Sequence, residues 1–522
     1  MQGKKHFNEK LFLNFQLSER VPEDNFYRRL KNALDFSFLR AATKKYYGQE
    51  GQSSIDPEVF FKLILVGYLE NLNSDRKIID HARMRMDILF FIGYDIDEEL
   101  PWHSTLSRTR QLYGEDVFET LFQKVLKLCI DKGMVSGKRQ ALDSAYIKAN
   151  ASMDSIVEKE VIEDGKVYLD SLRANGDDPR KTVTAEEKRE VEQQQKWRER
   201  RKQQKKDGPS TAQYDEHGNL IRPKLISNKT HYSETDVDAR ISTKPGKARQ
   251  FTYSAQTAVD TKQHVITGIL ADYSDKRDGE SLPELLDKTQ KNLAANNITI
   301  KEILADSGYS GPKALQYLEE NDLLGYIPNH GQFKAEHEGF TYNKEKDQFE
   351  CLQGNCAILP YRFTGSSSKK GNDTKVYRSS QKDCKNCPFQ AQCSGKFKSK
   401  KITVTIHHPL YSRMHERMQS KYAQRMRRLR SSTVEPVLGT LIHFRGMRKV
   451  RTRGIQQAHK FIIGAAIAYN LKKWLDYIPL KPKKVSSAVL SLEKRKKKGY
   501  KNLLFNLLST QHTPYLITIC FY

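Results

Sequence analysis

The sequence predicts a mixed α/β sheet with helices on its faces, an all-α domain before it and a small cysteine-rich insertion within it. Three observations carry this prediction. Apolar residues recur at three- and four-residue spacings from residue 55 to 135. From Arg139 to Asn329, β-rich runs alternate with helical patterns. Five of the seven cysteines fall between Cys351 and Cys393. At about 150 residues per domain, the 522-residue chain holds about three folded units.

The helical region contains FFKLILVGYLENL and GEDVFETLFQKVLKLCI, both with helical periodicity. Between them lies DEELPWHSTLSRTR, where Pro101 breaks the chain and Ser104 or Thr105 is expected to cap a short helix bearing Arg108 and Arg110. Arginines on the first turns of such a helix suit docking on phosphates; an ordinary solvated basic face is the alternative.

RQALDSAYIKAN reads as a strand, and FTYSAQTAVD with HVITGILADY as an antiparallel hairpin turning at Thr261 to Gln263. GESLPELLDKTQKNLAA is helical, ITIKEILADSGY a strand, PKALQYLEEN a helix and LLGYIPN a last strand. The expected units are a helical domain at 1–135, the first part of the sheet at 136–330, a cysteine insertion at 331–400, closing helices at 401–478 and a basic tail at 479–522. A charged insertion at 156–247, with EEKREVEQQQKWRERRKQQKKDG at its heart, reads as a solvated segment.

Lys and Arg number 89 against 63 Asp and Glu, a formal charge of +26 that favours a polyanionic partner. A membrane is not that partner: the longest apolar run, Phe461 to Ala468, is too short to span a bilayer, and MQGKKHFNEK lacks a hydrophobic signal core. Few cysteines for the length argue against a disulfide scaffold, so a reducing, cytoplasmic setting is expected.

Three acids stand out. Asp143 lies mid-strand among Ala141, Leu142, Ala145 and Ile147, where a carboxylate is costly without compensation. Asp306 follows IKEILA at a strand end, where α/β sheets place their sites, although Asp-Ser-Gly is also good turn chemistry. Glu435 is the one acid among ten Lys or Arg from Lys421 to Arg453. Ser432-Thr433-Val434-Glu435 fits a capping box, with Glu435 at the third helical position. Three such carboxylates suit a two-metal phosphoryl-transfer site, because hard oxygen ligands bind Mg²⁺ and cations relieve their mutual repulsion.

Cys384 and Cys387 form a CxxC, with Cys393 after it and Cys351 and Cys356 before. Cys351, Cys384, Cys387 and Cys393 are the expected ligands of a structural Zn²⁺, with Cys356 as an alternate, closing a segment that has little core of its own. Free or redox-active thiols are the alternative.

The order of these elements resembles the RNase H-like core of DDE transposases from bacterial insertion sequences. PWHSTLSRTR is similar to a stretch of that family's N-terminal helical domain, ALDSAYIKANAS to its first-aspartate strand, and LADSGYSG to its second-aspartate turn. DARISTKPGK followed by FTYSAQTAVD resembles the entry to its second strand, STVEPVLGTLIHFRGMRKVRTRG its glutamate helix, and AIAYNLKKW its closing helix. The family also has a similar cysteine-rich insertion before the glutamate helix.

The resemblance implies that Asp143, Asp306 and Glu435 are the DDE triad on two Mg²⁺ ions, with Mn²⁺ as a substitute. Asp143 would bridge both ions, and Asp306 and Glu435 would each complete one. It further implies a 1–135 domain that binds DNA, with Arg108, Arg110, Arg427, Arg428, Arg430, Arg445, Arg448 and Lys449 on phosphates. The implied reaction is cutting of double-stranded DNA at terminal inverted repeats and joining of the freed 3′-hydroxyls to target DNA, by a homodimer or larger assembly. A nuclease without strand transfer and an inactive or domesticated DNA-binding relative are the competing readings. The chain departs from related families at the glutamate helix: Ser431 stands where an arginine is usual, Arg430 comes one place earlier, and Ile442 takes the approximate lysine position.

Overall fold

Helices come first because apolar residues of the N-terminal sequence recur at helical spacing. They are α1 (Leu17–Arg20), α2 (Phe26–Ala33), α3 (Phe38–Thr43), α4 (Pro57–Leu69), α5 (Asp75–Arg83), α6 (Met86–Ile92), α7 (His103–Leu112) and α8 (Glu115–Asp131). The computed structural model describes residues 16–478 except 49, 51–53, 73, 159–226, 229–230, 243–247, 331–332, 334–336, 354–356, 367–372, 386 and 396. The charged stretch 186–208, the tail from 479 and Cys356 therefore lie outside the described residues.

Asp56 starts α4 by accepting the Glu58 N–H, with Pro57 at the first helical position, where its missing N–H costs nothing. The helix is buried on nearly all sides, and Phe60 and Phe61 pack against the ring of Tyr113. Trp102, without a side-chain cap, precedes α7; neither Ser104 nor Thr105 caps it, and Ser104 Oγ instead accepts from Arg108.

The sheet follows as expected except at its edge, where residues 240–242, inside the stretch 156–247 that reads as a solvated insertion, add a strand. Its strands are β1 (Arg139–Lys148), β4 (Arg240–Ser242), β5 (Gln250–Asp260), β6 (Ile266–Tyr273), β7 (Glu302–Leu304) and β8 (Leu324–Tyr326), in the order β4-β5-β1-β7-β8 with β6 also on β5. β2 (Ile156–Glu158) and β3 (His231–Ser233) form a separate pair. Strand β1 is interior, antiparallel to β5 and parallel to β7. Helices α9 (Asp278–Ala294) and α10 (Pro312–Glu320) join the strands.

The cysteine region is more than a bare loop. Strands β9 (Phe340–Asn343), β10 (Gln348–Cys351), β11 (Ile358–Ser366), β12 (Asp373–Arg378) and β13 (Lys401–Thr405) form a second sheet, with α11 (Gln381–Lys385) and α12 (Gln390–Cys393) between β12 and β13. Phe349, Leu359, Tyr377 and Ile402 give it a hydrophobic core of its own, contrary to the expectation that it has little. Aromatic and β-branched residues on alternating positions were the signal for it.

Helices α13 (His408–Met418), α14 (Lys421–Phe444) and α15 (Ile455–Asp476) complete the chain. The apolar run within α15 is core: Phe461 to Leu471 is buried throughout, and Asn470 bonds both the N–H and the C=O of Ile266 on β6. Among the described residues no helix is long and apolar enough to cross a membrane.

Candidate active site

Asp143 lies opposite Thr257 on β5, with hydrogen-bonded strands on both sides of β1. Its side chain is 18% exposed and meets α14. Oδ1 accepts from the Ser144 N–H at 2.8 Å, and Oδ2 accepts from Arg430 Nη1 at 3.1 Å. Burial pushes this carboxyl up to about 6, against the pull of the Arg430 guanidinium and the Ser144 N–H and with a further push from the Asp306 charge.

Asp306 lies just beyond β7, the parallel neighbour of β1. Its Oδ1 accepts from the Gly308 N–H at 2.9 Å, which caps a 3-10 turn over Ser307–Tyr309. Turn chemistry and the strand-end position thus coincide in one residue. A second acid adjoins it. A Cβ at Gly308 would come within 3.0 Å of both Asp306 Oδ1 and Asp278 Oδ2, so two carboxylates flank one glycine. Gln256 Nε2 donates to Asp278 Oδ1 at 2.8 Å, and the buried Tyr309 hydroxyl donates to Gln256 Oε1. Burial, followed by the charges of Asp278, Asp143 and Asp306, raises that hydroxyl far above its ordinary value and keeps it a donor.

Glu435 lies in the middle of α14, not at its start. Ser420 caps the helix by accepting the Ala423 N–H at 3.0 Å. Ser432 Oγ donates to the Leu429 carbonyl, so the expected capping box is absent. The helix runs on through Pro436 because Ala423, Met426, Val434, Val437, Leu438 and Leu441 keep its inner face buried. Glu435 is 57% exposed, and its Oε1 accepts from Arg430 Nη2 at 3.2 Å.

One guanidinium therefore spans Asp143 and Glu435. Arg430, expected on a phosphate, is the positive charge between two carboxylates, and its offset from the family spacing still lets it reach both. It stands in for a cation at a set of hard oxygen donors, so the residues fit a divalent metal by charge and donor type. Among the described residues no three Cys, His, Asp or Glu side chains stand close enough together to hold a metal ion.

The other basic residues divide. Arg110 is buried in a bidentate pair with Asp75, at 2.7 and 3.0 Å, and Arg445 is buried with Nη1 on the Leu69 carbonyl. Arg108 on α7, Arg427 and Arg428 on α14, and Arg448 and Lys449 after it are exposed.

Cys351, Cys384, Cys387 and Cys393 line one small cavity of about 20 Å³, beside Phe340, Leu359 and Lys400. All four are free thiols.

Residues 15–112 match the Transposase domain DUF772, and residues 351–475 match the Transposase DDE domain. The chain belongs to the DDE transposases of insertion sequences. No curated protein matches it. The first match covers most of the N-terminal helices of this transposase, and the second covers β11 to β13 of the cysteine sheet, Glu435 and all but the last residue of α15. Asp143 and Asp306 lie outside both spans, on β1 and just beyond β7, two strands that adjoin α14. A DDE transposase acts on DNA and uses divalent metal, and the mixed sheet with flanking helices fits its RNase H-like domain. Sequence reading missed Asp278 and Gln256; the acid-rich ADYSDKRDGES was the available signal for the first.

Proposed function

We propose that Asp143, Asp306 and Glu435 are the catalytic triad of this transposase, which cuts DNA at terminal inverted repeats and joins the freed 3′-hydroxyls to target DNA. The observation that carries this reading is the single Arg430 guanidinium held by Asp143 and Glu435, with Asp306 at the end of the neighbouring strand. Two Mg²⁺ ions, or Mn²⁺ in their place, would supply activation of the attacking oxygen and stabilisation of the leaving one. The protein's own part is to hold three acidic groups on a strand, a turn and a helix, and to keep Asp143 shielded from solvent. Arg430 offsets the charge of Asp143 and Glu435 in the free enzyme and would be released to a phosphate once those carboxylates are otherwise neutralised. Two ends cut in one event call for at least two copies of the chain.

The test is Asp143→Asn, Asp306→Asn and Glu435→Gln, each assayed with Mg²⁺ on DNA carrying the element's ends. Cleavage and joining should both fall by at least about a hundredfold while DNA binding persists. End cleavage that survives Asp143→Asn overturns the assignment. Cleavage without joined products favours the nuclease, and binding without cleavage in the unaltered protein favours the inactive relative.

A structural Zn²⁺ on Cys351, Cys384, Cys387 and Cys393 rests only on their lining one small cavity, and it requires the four thiols to draw closer together than they stand. The expected result is about one zinc per chain after dialysis and a lower melting temperature on chelation. Metal-free protein that stays folded and melts unchanged removes the zinc.

A further inference from the structure

A cleft of about 1600 Å³ opens between α5 and α7 on one side and the ends of β1, β4 and β5 with the segment after α14 on the other. It exceeds the ~300–1,000 Å³ usual for small-molecule sites, so a polymer suits it better than a metabolite. Its charge is one-sided. Lys148, Arg448, Lys449, Arg451 and Arg453 line it, while Asp75, the carboxylate among its described lining residues, is taken by Arg110.

Two further features point to an anionic occupant. Lys148 and Lys449 face each other across a parallel bridge that extends β1, where the backbone bonds are Lys148 N–H to Arg448 and Val450 N–H to Lys148. Like charges set opposite on neighbouring strands repel, and an anion between them removes the penalty. Behind them, two groups able to donate, Arg451 Nη2 and Thr452 Oγ1, are buried without a hydrogen-bond partner. Buried polar groups without partners are rare in folded proteins, and two neighbouring donors in a cleft wall are groups awaiting an acceptor.

The cleft also leads to the carboxylates. Ile442 lines it, two turns or about 10 Å along α14 from Glu435, and Ala145 lines it two residues along β1 from Asp143. We propose that this cleft seats the sugar-phosphate backbone of a DNA strand on its way to the carboxylate site, with Lys148 and Lys449 on its phosphates and Arg451 as the buried anchor. The proposal rests on the reading of this chain as a DNA-cutting enzyme but not on the roles of the three acids.

The experiment measures binding of the full chain to a labelled DNA duplex of arbitrary sequence, in EDTA, across a salt series. For Lys148→Gln with Lys449→Gln, the slope of log affinity against log salt should fall by about 0.9 for each phosphate left without its lysine. Lys291→Gln with Lys301→Gln, exposed lysines at the far ends of α9 and β7, should leave it unchanged. Arg451→Gln should weaken binding further, with its melting curve measured alongside; if that variant unfolds, the exposed pair decides. An unchanged slope in the Lys148/Lys449 variant, or an equal fall in the control, overturns the proposal. Because EDTA removes the chemistry, Asp143→Asn should bind DNA normally here, so failure of the cleft and failure of the triad read out separately.

Discussion

Burial lifts the Asp143 carboxyl from an ordinary 3.8 to about 6, a cost carried by the folded state alone. Between about pH 4 and pH 6 the native protein therefore holds a proton that the unfolded chain has released, and acid favours the fold through this group. As pH rises through about 6, the proton leaves and that contribution is lost. In metal-free melting experiments, the stability of Asp143→Asn relative to the unaltered protein should grow from about pH 4 to about pH 6 and level off above. A difference that stays constant across the range would show that Asp143 is not a perturbed acid. The same proton competes with any divalent ion, so metal affinity should strengthen over the same interval. Asp143 was legible in the sequence because a mid-strand aspartate needs a reason. Arg430 was not, since one arginine among many in a basic stretch carries no mark of the two carboxylates it spans.

Strand β7, its 3-10 turn and the start of α9 meet at Gly279. A Cβ there would lie 2.9 Å from the Tyr309 carbonyl oxygen and 3.4 Å from the Gly311 nitrogen, both backbone atoms that cannot swing aside. Gly279→Ala should cost about 1–3 kcal/mol of stability. Because it shifts the turn that holds Asp306, it should also lower cleavage while leaving DNA binding in EDTA unchanged; full activity with an unaltered melting temperature would show that the junction is loose. Most elements around this junction could be read from periodicity and turn residues. The start of α14 could not: Pro436 and a Ser-Thr pair imitate a helix beginning, whereas burial of Val434, Val437 and Leu441 outweighs the roughly 3 kcal/mol that an interior proline costs. The second sheet was hidden for a different reason, since cysteine spacing drew attention from the aromatic strands around it.

Across the whole molecule, the +26 charge was evident from composition, but where it collects depends on folding. Some arginines are spent on internal carbonyls and on Asp75, and others gather along α14 and at the cleft. The five-stranded sheet is the other large-scale feature. The chain enters it after β8 and leaves it for α13, and the two ends are tied together where Asn329 Nδ2 donates to the Tyr411 carbonyl at 2.8 Å. Arg413 pairs with Glu319 on α10, and Arg417 Nη1 bonds the Gly325 carbonyl on β8, fixing α13 to what precedes the sheet. A loop that returns to its point of departure is interchangeable, as a drawer is in its frame. Lengthening, shrinking or replacing that module should therefore leave Glu435 downstream where it stands.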